Sequence, residues 1–117
     1  MSNIRSEDTI DILVSRFPKF AKSADLDEGP YSVLGDFAIY VCDGIESESI
    51  ATPDLDKIFA FLNELGSSGD IEVQNQLVVG VLEILTDTDK CVDAARQRLR
   101  GQALQFFERV LVGWNNA

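Results

Sequence analysis

The sequence predicts an all-α fold: a compact bundle of five or six helices around one central apolar helix, in a single domain spanning residues 1–117. Three observations predict it. Apolar residues recur at three- and four-residue spacing in several separate stretches. Helix punctuation separates those stretches: Gly29-Pro30, Thr52-Pro53-Asp54, Gly66 and Gly101. The third is the run at 71–85, in which only Gly80 and Glu83 interrupt the apolar residues after Leu77. Its Val and Ile content also suits a buried strand. Its length, Asp70 before it and the polar Gln74-Asn75-Gln76 opening favour a helix, and one apolar over so much of its circumference needs cover from several sides.

The remaining elements follow in order. Ser6 can cap a first helix, with Glu7 and Asp8 in its first turn and Ile10, Leu13, Val14 and Phe17 on its inner face. Pro18 ends or kinks it, and a short turn over 19–24 should direct Phe20 inward. After a polar loop at 25–29, Pro30 opens a second helix with Val33, Phe37, Tyr40 and Val41 on one face. Gly35 within it implies a close helix crossing, and Gly44 reads as its stop. Thr52 offers a capping hydroxyl for the next helix, whose stripe is Leu55, Ile58, Phe59, Leu62 and Leu65, with Gly66 as a left-handed stop. The short turn to Asp70 makes this helix and the central one a hairpin. Thr88 can cap a helix through Cys91, Val92, Ala95 and Leu99. Gly101 then divides or bends the chain before a last helix with Ala103, Phe107, Val110, Leu111 and Trp114 inward. Leu62, Leu77, Val81, Leu85, Phe107 and Leu111 are expected in one core.

Composition narrows the function more than any motif does. The chain contains no histidine, which removes Ser-His-Asp and Cys-His hydrolysis, His-ligated zinc and haem, and two-histidine nuclease sites. Cys42 and Cys91 lack Cys-x-x-Cys spacing and read as buried free thiols. The net charge is −10, and it is concentrated. Residues 24–95 hold sixteen acids against Lys57 and Lys90, whereas residues 1–23 carry +1 and residues 96–117 carry +3. Such a body repels nucleic acid and anionic lipid and attracts basic proteins. The longest apolar run is short of the roughly 20 residues a membrane span needs, and the first residues do not read as a signal peptide. The expectation is a cytoplasmic protein, monomeric when free, with no nucleic-acid or membrane partner.

The local clusters have structural explanations. Asp87-Thr88-Asp89 resembles the opening of a calcium loop, but the sixth and twelfth positions hold Val92 and Arg98 where glycine and glutamate are required. Asp54 with Asp56, and Asp70 with Glu72, sit in first turns that the helix dipole already favours. Arg96, Arg98 and Arg100 are expected to pair with the acidic body. Asp36 is expected to be exposed or paired. No metal, cofactor or catalytic residue is expected, and the chain reads as a binding protein, not an enzyme.

The stretches Gly35-Asp36-Phe37-Ala38-Ile39-Tyr40, Ile58-Phe59-Ala60-Phe61-Leu62-Asn63-Glu64-Leu65 and Ser68-Gly69-Asp70-Ile71-Glu72-Val73-Gln74-Asn75-Gln76-Leu77-Val78-Val79-Gly80-Val81-Leu82-Glu83 carry a resemblance. They resemble a group of small acidic all-helical bacterial proteins of unassigned function, which is similar to the immunity proteins of contact-dependent growth inhibition and other polymorphic toxin systems. The resemblance implies toxin neutralisation: an acidic protein covers the active surface of a basic toxin domain, often a nuclease. It transfers no catalytic residue. A helical adaptor that binds a housekeeping partner is the other reading. On charge, the residues expected to meet a basic partner are Asp43, Glu46, Glu48, Asp54 and Asp56, with Asp87, Asp89 and Asp93 as a second patch.

Overall fold

The structure, a computed structural model, describes residues 4–115, with only the helical backbone at Trp114 and Asn115. The inward position expected of the Trp114 side chain, and the tail residues Asn116 and Ala117, lie outside the described residues. Seven α-helices are present among these: α1 (Thr9–Arg16), α2 (Pro18–Ser23), α3 (Pro30–Glu46), α4 (Thr52–Gly66), α5 (Ile71–Leu77), α6 (Asp89–Arg98) and α7 (Gly101–Asn115). Short 3-10 turns precede α1 and α3, and the described residues contain no strand. The all-α bundle is as predicted. Its helix count rises because Pro18 holds Phe17 out of the helical region (φ −129°, ψ 66°), which separates α2 from α1.

The 71–85 segment lies where the sequence predicts but is not a uniform helix. Asp70 caps α5 by accepting the Glu72 N–H at 2.9 Å. The chain then widens into a π turn, Val78–Leu82, in which the Glu83 N–H reaches the Val78 carbonyl five residues back at 3.2 Å. A 3-10 turn, Ile84–Thr86, follows. The extra residue rotates the inner face. Val73, Leu77, Val81, Leu82 and Leu85 are buried, whereas Ile84, which an unbroken helical period from Val73, Leu77 and Val81 would put on that face, is half-buried and Val79 is exposed. The segment packs against α3, α4, α6 and α7, the several-sided cover that its apolar circumference requires. Its crossing with α3 is close. The glycine this crossing requires is Gly80, where a Cβ would lie 3.1 Å from Leu34 Cβ; Gly35, the glycine expected to mark it, has room for a Cβ, which would make an ordinary 3.7 Å contact with the Gly80 carbonyl oxygen.

Helix ends are where the sequence reading needs correction. Ser6 caps nothing; its backbone N–H instead donates to Asp70 Oδ2 at 2.9 Å, while the Ser68 hydroxyl donates to the Ile4 carbonyl at 2.7 Å. These bonds tie the N-terminal segment to the turn before α5. Thr52 lies inside α4, and Ala51 is the cap, with no side-chain bond. Gly44 does not stop α3. It is buried two residues before the end, and a Cβ there would collide with the Ile50 side chain. The helix ends instead through Glu48 at φ 54°, with Glu48 N–H to Ile45 O at 3.2 Å and Ser49 N–H to Gly44 O at 2.9 Å. Gly66 is likewise a close-approach glycine and not a left-handed stop: a Cβ would lie 2.7 Å from the Ala103 backbone nitrogen.

One hydrophobic cluster runs from Ile4 to Phe107 and includes Leu62, Leu77, Val81 and Leu85; Leu111 is only partly buried against it. Thr88 caps α6 through the Cys91 N–H at 3.2 Å, and Gly101, at φ 57°, divides α6 from α7 as expected. Asn63 of α4 fastens that division. Its side-chain amide donates to the Arg98 carbonyl at 3.2 Å and its oxygen accepts the Arg100 N–H at 2.8 Å. No helix among the described residues is long and apolar enough to cross a membrane.

Candidate acidic binding surface

The fold brings parts of the two predicted acidic patches together. Asp43 and Glu46 are three residues apart in the last turns of α3, on adjacent positions of its surface, and Glu48 follows in the turn. Asp87 and Asp89 flank Thr88 at the start of α6. Two contacts join these groups. Lys90 Nζ lies 3.7 Å from Glu48 Oε2, and the Cys91 thiol reaches the Cys42 carbonyl at 3.9 Å. The result is one end of the bundle with Asp43, Glu46, Glu48, Asp87 and Asp89, all exposed, and Lys90 among them. Asp93 continues the surface along α6, four residues after Asp89, with Arg96 close enough to feel its charge.

Asp54 and Asp56 add little free charge to this end. Asp56 accepts from Arg98 Nε at 3.1 Å, and Asp54 lines a separate cleft beside Lys57. The arginines therefore divide. Arg98 pairs with the acidic body as expected, but Arg96 pairs with Glu108 of α7 at 3.1 Å, and Arg100 donates to the Leu99 carbonyl. Asp36 is exposed, and its hydrogen bond to Glu28 raises the Glu28 carboxyl above its ordinary range.

Beneath the acidic end, Cys42 and Cys91 are buried free thiols. Burial pushes the Cys42 thiol far up, helped by the Cys91 thiol and by the charges of Asp87 and Asp43. A thiol so held is protonated at neutral pH and is a poor nucleophile. Among the described residues no three Cys, Asp or Glu side chains gather so as to hold a metal ion.

Glu48 is the feature that sequence reasoning did not single out for its backbone. An L-residue in the left-handed region costs about 1–2 kcal/mol, and glycine commonly takes this position at a helix end. Here it holds an acid whose side chain is 84% exposed. The signal available in the sequence was Gly44, which drew the predicted stop four residues early.

No curated protein matches this chain, and neither does any solved structure. A family model described as a domain of unknown function, DUF7674, matches residues 10–114, almost the whole chain, so the protein belongs to that family.

Proposed function

We propose that this chain is a binding protein whose acidic end, formed where the C-terminus of α3 meets the start of α6, engages a basic partner protein. The finer reading is an immunity protein acting in the cytoplasm. Its partner is a basic toxin domain, which it steers in electrostatically and then covers. The observation that carries the reading is Glu48: five exposed acids share this end with one lysine, and one of them occupies a strained backbone position that glycine would fill at lower cost. The resemblance to toxin-immunity proteins supports the finer reading. The family assignment leaves it open.

The test reverses Asp43, Glu48 and Asp87 to lysine together, with folding checked by circular dichroism. All three are exposed, so the core is untouched. The partner is the product of the gene adjacent to this one, the usual arrangement for a toxin and its immunity protein. Association rates are measured at two salt concentrations, and cell survival is scored on co-expression. The reversal should slow association about tenfold or more at low salt, flatten its salt dependence and abolish protection. Unchanged rates and unchanged protection would overturn the proposal.

A further inference from the structure

A second surface has the opposite character. A cleft of about 270 Å³ lies between the α1–α2 corner, α3, the loop after it and the start of α4. Apolar side chains form much of its lining: Phe17, Phe20, Tyr40, Ile50 and Ile58. They are held firmly. Phe20 packs on Phe37 and Tyr40 with ring centroids 5.1 and 5.6 Å away, and Ile50 is seated on the bare backbone of Gly44.

Three cations reach the same cleft from separate elements: Arg16 from α1, Lys19 from α2 and Lys57 from α4. Arg16 is already engaged. Both of its terminal nitrogens hold the Glu64 carboxylate, and its guanidinium lies over the Phe61 ring at 5.7 Å. Lys19 and Lys57 form no ion pair or hydrogen bond with any described residue. Acids outnumber bases twenty to ten in this chain, and two of its four lysines line this one apolar cleft. Asp54 is the one acid in the lining. It offsets part of the charge at the α4 edge and leaves Lys19 the less opposed of the two.

We infer that this cleft binds a small amphiphilic anion: one acidic group carried on an aromatic or aliphatic body. The rings and branched chains bury the body, as apolar pocket walls with a few polar groups do. Lys19 and Lys57 hold the acid. The cleft adjoins the acidic end at Ser49 and Ile50, and the two lysines place the acid on the side away from Glu48.

The probe is an anilinonaphthalene sulfonate dye, an aromatic anion that fluoresces in apolar surroundings, titrated into the intact chain. Its uncharged analogue, a phenylnaphthylamine, is titrated in parallel. The dye should saturate one site per chain and shift the backbone amide resonances of Phe20, Tyr40 and Ile50. Lys19→Ala with Lys57→Ala should raise its Kd about tenfold, a change within reach of two lost charge contacts. The uncharged analogue should bind about tenfold more weakly than the dye and be indifferent to the lysine changes. Ser49→Trp, at an exposed cleft position, should block both. Non-saturable binding, resonance shifts confined to other residues, or equal affinity in the double-lysine variant would overturn the inference.

Discussion

Replacing Gly66 by alanine tests the packing of α4 on α7 with two opposing effects of known sign. Alanine is favoured over glycine in a helix by up to about 1 kcal/mol, and less at a terminal residue such as this one. Gly66 does not have a positive φ, so alanine meets no backbone strain there. Against that gain stands a collision. The new Cβ would lie 2.7 Å from both the nitrogen and the Cβ of Ala103, and 2.8 Å from its Cα. These are largely backbone atoms of a buried residue, so no flexible side chain can swing aside. To restore contacts of 3.4 Å, where ordinary packing begins, α4 and α7 must separate by about 0.7 Å. Overpacking of this kind costs about 1–3 kcal/mol, which exceeds the propensity gain. Gly66→Ala should therefore lower the urea midpoint, with a net loss of about 1–2 kcal/mol and a fall in Tm of several degrees. Two other glycines separate helix propensity from the collision. Gly113→Ala meets nothing within 4 Å and should be stabilising. Gly35→Ala would meet Ile84 Cδ1 at 3.6 Å, an ordinary contact, and should be neutral or stabilising. If Gly66→Ala matched Gly113→Ala, the close approach of α4 to α7 would be refuted.

Three further outcomes follow from the structure. Glu48→Gly should raise stability by about 0.5–1 kcal/mol in chemical denaturation, because relief of left-handed strain outweighs the added chain entropy of glycine; a loss would mean that the Lys90 contact matters more than the backbone does. Asn63→Ala removes both hydrogen bonds that hold the α6–α7 junction and should cost about 1–2 kcal/mol, with faster amide exchange at Arg100. The acid limb of the stability profile should respond to two carboxyls in opposite senses. The Ser6 backbone N–H holds Asp70 below its ordinary value, so its contribution is present above the unfolded pKa and lost as pH falls through the folded one; Asp70→Asn should flatten that loss. Glu28, raised by Asp36, binds its proton earlier in the folded state, so stability gains as pH falls through its raised pKa, and Asp36→Asn should remove that gain.

Element positions were legible because burial follows the helical period. Leu55, Ile58, Phe59, Leu62 and Leu65 are all buried, as their spacing requires. What the period cannot carry is a change in the backbone itself. The π turn at Val78–Leu82 leaves the apolar run unbroken, yet it moves Ile84 partly out of the inner face. The glycines were legible as special residues but not in their roles. Gly44 and Gly66 serve neighbours, Ile50 and Ala103, that are distant in sequence or lie beyond the helix end, and spacing along one helix does not encode them. For the acidic surface, the sequence supplied the residues and their excess. It did not show that α6 would bring Asp87 and Asp89 beside Glu48, because a contact between the end of α3 and the start of α6 depends on how the central segment packs. Pairing was equally hidden: Asp56 is taken by Arg98 from a helix more than forty residues away.

Hydrogen exchange on the chain alone and bound to its basic partner tests the binding surface most directly. Amides at residues 43–48 and 86–93 should slow on binding, since these two segments make up the acidic end, while those of α2 at the cleft should exchange at unchanged rates. Protection centred on α2, or on the exposed face of α7, with residues 43–48 and 86–93 unaffected, would contradict the assignment of this end as the partner-binding face.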